Sequence, residues 1–182
     1  EPDDNIILLY TSGTTGTPKG VQLTHANATA IVQINRDRFG LYSNTVDACY
    51  ASFGFDACFN DIVSIPASGG TIHVISEEMR LNLTELDKYL IENKVTLAIM
   101  TTQVGRQFAL LTKSPYLKYM AVGGEALVPL DTDGFTFDFI NVYGPTECTV
   151  YVTSAKVSGK NLRVPIGKLN VNMKGYIVDS NM

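Results

Sequence analysis

The chain has 182 residues, 45% of them hydrophobic, with 14 basic and 18 acidic side chains and a net charge of −4. That is enough apolar material for one core, and the length favours a single domain or compact subdomain. With no Lys/Arg cluster, neither a nucleic-acid groove nor an anionic membrane surface is expected as a partner, and no apolar run approaches the roughly 18 residues of a spanning helix.

The first residues, Glu1, Pro2, Asp3 and Asp4, are the opposite of a signal peptide, so a soluble, cytoplasmic protein is expected. Residues 6–10 form an apolar run that reads as a buried strand. It feeds a loop of Thr11, Ser12, Gly13, Thr14, Thr15, Gly16, Thr17, Pro18, Lys19 and Gly20. Gly13, Gly16 and Gly20 let the main chain approach a ligand without Cβ interference, the hydroxyls supply donors, and Lys19 supplies the only positive charge. Successive N–H groups in such a turn form a concavity for an anion, so this is a candidate phosphate-binding loop. Pro18 before Lys19 and Gly20 after it rule out a Walker A loop, and Gly-x-Gly-x-x-Gly is absent. A flexible linker is the plainer alternative, but it would need neither the preceding strand nor the embedded Pro-Lys.

Beyond the loop, residues 21–23 are extended, and Thr24 is placed to cap a helix from His25 to about Arg38 that Gly40 ends. Residues 48–51 read as a strand and residues 55–65 as a helix with Asp56 in its first turn, broken by Pro66, Gly69 and Gly70. β-Branching makes residues 71–75 a strand, and Leu83, Leu86, Leu90 and Ile91 space a helix over 83–93 with Asn82 and Glu85 as a cap pair. A strand over 96–100, a helix over 103–111 and a strand over 118–122 continue the alternation, and residues 127–137 read as loop. Residues 137–140, 149–156 and 175–179 look extended. The alternation, with strands apolar on both faces, predicts an α/β fold: a mostly parallel sheet flanked by helices, with extended segments near the C-terminus.

Cys49, Cys58 and Cys148, with His25 and His73, have no metal-ligand spacing, so reduced thiols are expected. The chain opens without Met and closes on the apolar residues 176–178 and a turn, which leads us to expect a segment of something longer.

In an open α/β sheet, ligands collect at the carboxyl ends of the strands. Three polar clusters fall there: the loop over 11–20, then Gly123, Gly124 and Glu125, then the run from Asn141 through Tyr143, Gly144, Pro145 and Thr146 to Glu147. The loop, the pair His25 and Asn27, and the Asn-x-Tyr-Gly-Pro-Thr-Glu run together resemble the adenylate-forming superfamily of acyl-CoA synthetases, luciferases and amino-acid adenylation domains. Phe55, Asp56 and Ala57, with residues 123–127, most resemble the adenylation domains of nonribosomal peptide synthetases. The resemblance spans essentially the whole chain. It implies an internal segment, 1–182, of an adenylation core in an enzyme that activates an amino acid with ATP and Mg2+ as an aminoacyl-adenylate. The acceptor it implies is the phosphopantetheine thiol of a peptidyl carrier protein.

On that resemblance, the loop and Lys19 hold the β- and γ-phosphates, Thr146 bonds the α-phosphate and Glu147 binds magnesium, which prefers carboxylate and phosphate oxygens. Tyr143 stacks on adenine, Asn141 reads its amino edge, and Gly123 and Gly124 close on the other face; a simple turn at Gly144 and Pro145 is the plainer alternative. Asp56 pairs with the substrate ammonium, although an aspartate in a first helical turn is also favoured by the helix dipole alone. The side-chain pocket falls to Ala57, Asn60, Ile99, Met120, Val122, Val142, Val150 and Tyr151, each of which can equally be ordinary core. Their character favours a neutral, small-to-medium aliphatic side chain. The family's ribose-binding aspartate, hinge and C-terminal lysine have no counterpart here, and the segment between Glu125 and Asn141 is shorter than usual. The 182 residues alone are therefore expected to bind ATP weakly and not to turn over. A D-alanine–carrier-protein ligase, an acyl-CoA synthetase and a non-catalytic nucleotide-binding module remain as alternatives.

Overall fold

A computed structural model describes residues 1–11, 17–160 and 163–179. The chain opens with β1 (Asn5–Thr11) and β2 (Lys19–Thr24), which pair antiparallel with Thr11 opposite Lys19. Only one face of this ribbon packs inward. Leu9, Val21 and Leu23 are buried, while Leu8 and Tyr10 are 50% and 68% exposed, so the strand expected to be buried is two-faced.

Thr24 caps α1 (His25–Phe39) through a full capping box with Asn27, and Gly40 ends the helix in the left-handed conformation, φ 55°. Then come β3 (Val46–Cys49), α2 (Asp56–Ala67), β4 (Thr71–Val74), the short α3 (Glu77–Arg80), α4 (Leu83–Glu92), β5 (Leu97–Thr101), α5 (Thr102–Leu111), β6 (Tyr119–Gly123) and β7 (Asp138–Tyr143). After β7, a single 3-10 turn, Thr146–Cys148, precedes β8 (Thr153–Val157) and β9 (Lys168–Leu169).

The main sheet has the order β4-β3-β5-β6-β7-β8-β9. Its first five strands run parallel, as expected of the α/β alternation, and β8 pairs antiparallel with both β7 and β9. Successive strand residues point to opposite faces, so each central strand feeds two cores. Ala98, Met100, Met120, Val122 and Phe139 meet Leu86, Leu90 and Phe108 of α4 and α5 on one face. Leu97, Ile99, Ala121, Ile140 and Val142 meet Ile31, Ile34, Phe59 and Ile65 of α1 and α2 on the other.

Several boundaries differ from the sequence reading. α2 continues through Pro66, giving up the backbone hydrogen bond that the missing N–H would have made, and ends one residue later at Ala67. α3 was not expected; Ser76 caps it by accepting from the Met79 N–H. β7 runs on to Tyr143 because β8 pairs with it that far, placing Asn141 inside a strand. The extended run expected over 149–156 begins only at Thr153, since Thr149 and Val150 are left-handed, φ 62° and 72°. Residues 175–179 form no strand, and Tyr176 and Ile177 lie exposed.

One close approach fixes α5 on the sheet. A Cβ at Gly105 would overlap Val122 Cγ1 and lie 3.3 Å from Met100 Cβ, both on buried side chains. Gly105→Ala should therefore lose about 1–3 kcal/mol to overpacking, outweighing the roughly 1 kcal/mol that Ala gains as a helix former. A lowered melting temperature by circular dichroism, partly restored by adding Val122→Ala, is the expected result.

Candidate active site

The carboxyl ends of β3, β5, β6 and β7 open onto a cavity of about 310 Å3. Asp56 reaches it from the first turn of α2, followed one and four residues later by Ala57 and Asn60. Ile99 lines it from β5, Val142 from β7, and Val150 and Tyr151 from the turn beyond. Gly123, Gly124 and Gly144 complete its glycine side. Those glycines permit the approach of neighbouring backbone: a Cβ at Gly123 would lie 2.8 Å from Val142 Cγ2, and one at Gly144 would strike Tyr151 Cα.

Met120 and Val122 do not line the cavity. They point into the opposite core, and the strand alternation gives the pocket Ala121 and Gly123 instead. The signal was available in the sequence: with Ile99 on the pocket face, its parallel partner in the register, Ala121, shares that face. Asn141 also falls outside the cavity; it is 4% exposed, and its Nδ2 donates to the Pro165 carbonyl at 2.9 Å.

Arg80 was missed altogether, because α3 was not expected. Its Nη2 donates to the Ala51 carbonyl at 3.2 Å, its own carbonyl accepts from the Tyr50 hydroxyl at 3.0 Å, and its guanidinium sits 6.0 Å from the Tyr50 ring centre. It brings a cation to the cavity wall.

Behind the cavity is a buried polar layer. The Tyr151 hydroxyl donates to Asn35 Oδ1 at 2.6 Å, Asn35 Nδ2 donates to Asn60 Oδ1 at 2.7 Å, and Asn60 Nδ2 donates to Asp61 Oδ1 at 3.2 Å. Burial pushes the Asp61 carboxyl up to about 7, against hydrogen bonds from Asn60 and Cys49 that pull it down. Burial, and then the neighbouring Asp61 charge, pushes Asp47 well above the usual carboxylate range. Burial likewise raises the thiols of Cys49 and Cys58, the latter to about 11, so these two cysteines are inert core groups.

Thr11, Lys19, Thr146 and Glu147, expected from the sequence to hold phosphate and magnesium, do not line the cavity. Lys19 is exposed at the end of β2, and β2 packs against the 3-10 turn that carries Thr146 and the exposed Glu147. Thr11 stands opposite Lys19 across the ribbon. Ser12, Gly13, Thr14, Thr15 and Gly16 lie outside the described residues. Tyr143 is 53% exposed at the end of β7. The Glu125 main chain is tied down by Thr102, whose hydroxyl donates to the Glu125 carbonyl at 3.0 Å. Among the described residues no cluster of three His, Cys, Asp or Glu side chains forms a metal cage. An exposed carboxylate such as Glu147 suits magnesium, which keeps several waters and takes its remaining ligands from phosphate.

The sequence profile of the AMP-binding enzyme family matches residues 1–182. The chain belongs to that family. Among curated relatives, this AMP-binding family member is 32% identical over 179 residues to bacitracin synthase 1 of Bacillus licheniformis, covering 98% of this chain and 3% of that protein. It is 35% identical over 171 residues to surfactin synthase subunit 2 of Bacillus subtilis (strain 168), covering 94% of this chain and 5% of the relative. The chain thus spans a small part of the curated relatives it matches. In fold it is similar to the AMPPNP-bound nonribosomal peptide synthetase FmoA3, with a TM-score of 0.88 and 24% identity over 99% of this chain and 20% of that one. It also resembles the Vibrio cholerae adenylation domain AlmE in complex with glycyl-adenosine-5'-phosphate, with a TM-score of 0.78 and 24% identity over 93% of this chain and 34% of the other. Among the described residues, no helix is long and apolar enough to cross a membrane.

Proposed function

We propose that this chain is part of the adenylation core of a nonribosomal peptide synthetase, a cytoplasmic enzyme that activates an amino acid as its aminoacyl-adenylate and passes it to a carrier protein. The observation that carries the reading is the shared cavity: the Asp56 carboxylate faces the same space as Gly123, Gly124 and Gly144. A carboxylate there suits a substrate ammonium, since a charge taken out of water must be paired. The glycine-lined strand ends leave room for a nucleotide beside it.

Each residue then has a task. Asp56 holds the ammonium and so orients the substrate carboxylate towards the α-phosphorus. As the carboxylate oxygen bonds to the α-phosphorus and the bond from that phosphorus to the pyrophosphate oxygen breaks, Lys19 offsets the charge of the leaving pyrophosphate and the hydroxyls of the 11–17 loop hydrogen-bond it. Thr146 hydrogen-bonds the α-phosphate, and Tyr143 packs on the adenine. Magnesium held by Glu147 would supply charge neutralisation on the phosphate oxygens. Ile99, Ala121, Val142 and Val150 enclose the substrate side chain with apolar surface. The acceptor is the phosphopantetheine thiol of a peptidyl carrier protein, as the synthetase relatives lead us to infer.

Amino-acid-dependent exchange of pyrophosphate into ATP by the full-length protein tests this. Exchange with at least one amino acid, cut at least a hundredfold by Lys19→Ala, is the expected result. No exchange across all amino acids would overturn the reading.

A further inference from the structure

The cavity is floored by two polar side chains, Asn60 and Tyr151, which the sequence reading had already placed in the pocket. Neither is free to choose its orientation, and the reason is a residue that touches no ligand space. Asn35 is 0% exposed on α1 and makes three short hydrogen bonds. Its Oδ1 accepts from the Tyr151 hydroxyl at 2.6 Å, and its Nδ2 donates to Asn60 Oδ1 and to Ser64 Oγ, both at 2.7 Å. Beyond it, Asn60 Nδ2 donates to Asp61 Oδ1 at 3.2 Å.

These bonds have one polarity. From Tyr151 through Asn35 and Asn60 to Asp61, every donor points the same way. An amide has one donor end and one acceptor end. If Asn60 turned over, its N–H group would face the Asn35 N–H group, and its oxygen would face the Asp61 oxygen. The first contact is repulsive, and so is the second once Asp61 is ionised; in a buried layer an unmade hydrogen bond costs the full desolvation of its group. The Tyr151 proton is likewise committed to Asn35.

We propose that Asn35 is the positioning residue of the amino-acid pocket: it locks the Asn60 amide and the Tyr151 hydroxyl in one orientation and thereby fixes which substrate side chain the pocket selects. This rests on the adenylation reading of the site. The choice of amino acid is then written partly in α1, 25 residues before Asn60 and 116 before Tyr151 in sequence. Ser64, which shares the Asn35 amide, does not line the cavity and serves as the internal control.

The test is steady-state ATP–pyrophosphate exchange by the full-length protein across a panel of amino acids, reporting KM for amino acid, KM for ATP and kcat separately. In Asn35→Ala, the kcat/KM ratio between the best and second-best amino acids should fall by about tenfold. The loss should reside in KM for the amino acid, with KM for ATP within about twofold of the unaltered protein. Ser64→Ala should lower the melting temperature and leave the ranking intact. Should Asn35→Ala fail to fold, Asn35→Ser keeps a polar group in the layer while withdrawing the amide that holds Asn60, and should shift the same ratio by about threefold. An unchanged ranking in the folded variant, with the damage confined to kcat and stability, overturns the inference. Absence of exchange by the unaltered protein overturns the reading of the site, and this inference with it; exchange with an Asn35-independent ranking overturns this inference alone.

Discussion

Asp56→Ala in the full-length protein should lower kcat/KM for the amino acid by about two to three orders of magnitude, while ATP still binds. The size follows from leaving the substrate ammonium in a mostly enclosed cavity without its counter-charge, a loss on the order of 3–5 kcal/mol. Ile99, Val142 and Ala121 around it offer no replacement acceptor. ATP binding, read by calorimetry or fluorescence, should change little, because Lys19 and Glu147 lie outside the cavity. The same variant separates the reading from its relatives. An enzyme that activates a simple fatty acid has no ammonium to pair, so undiminished activation of a fatty acid, with no amino-acid activity in the unaltered protein, would identify an acyl-CoA synthetase instead.

The second large effect concerns stability. Asp47 is 0% exposed on β3, neither of its carboxyl oxygens has a hydrogen-bond partner among the described residues, and Asp61 lies close enough to raise it. Both groups have folded-state values above the ordinary 3.8. The sign follows directly: below pH 4 both states are protonated and nothing is lost. As pH climbs from about 4 through about 7, the unfolded chain sheds protons that the folded chain retains or releases only at a cost. Stability from this pair is therefore present in acid and lost towards neutrality. Asp47→Asn removes one of the two buried acids and its repulsion with the other. Melting curves of the variant and the unaltered protein should coincide near pH 4 and separate above it. At pH 8 the variant should be more stable by on the order of 2 kcal/mol. Parallel curves across that range would mean that the pair ionises freely.

Much of this was legible in the sequence because it is local. Thr24 and Gly40 bracket α1 as the capping rules require, and the alternation of strands and helices sufficed for a parallel sheet covered on both faces. Asp56, Ala57 and Asn60 share the cavity because Asn60 lies four residues beyond Asp56 and three beyond Ala57, spacings that are neighbours on a helix surface. What failed was register and distance. Met120 and Val122 were assigned to the pocket one residue out of step, and in a strand a one-residue slip reverses the face. The exposed edge of β1 was invisible because Ile6, Leu8 and Tyr10 are as apolar as the buried Leu9. Asn35 and Arg80 carried no signal at all: each matters through partners 25 to 116 or about 30 positions away, which no short motif records. The candidate phosphate loop was the most legible stretch by composition, and its residues 12–16 lie outside the described residues.

Thr149 and Val150 bear on how such a pocket changes over evolutionary time. Both are β-branched, both sit at positive φ, and the costs of such conformations are of order 1–3 kcal/mol each. The turn is held by its sequel, since Asn170 donates to the Tyr151 carbonyl at 3.2 Å and accepts from Ser154 at 2.9 Å. A substitution at 149 or 150 that tolerates positive φ, glycine above all, would relieve that strain and so move Val150 and Tyr151, both on the cavity wall, together. Substrate drift in this lineage should therefore proceed first through α2 and β6, whose pocket positions can vary singly, while the 149–151 turn changes as a block or not at all.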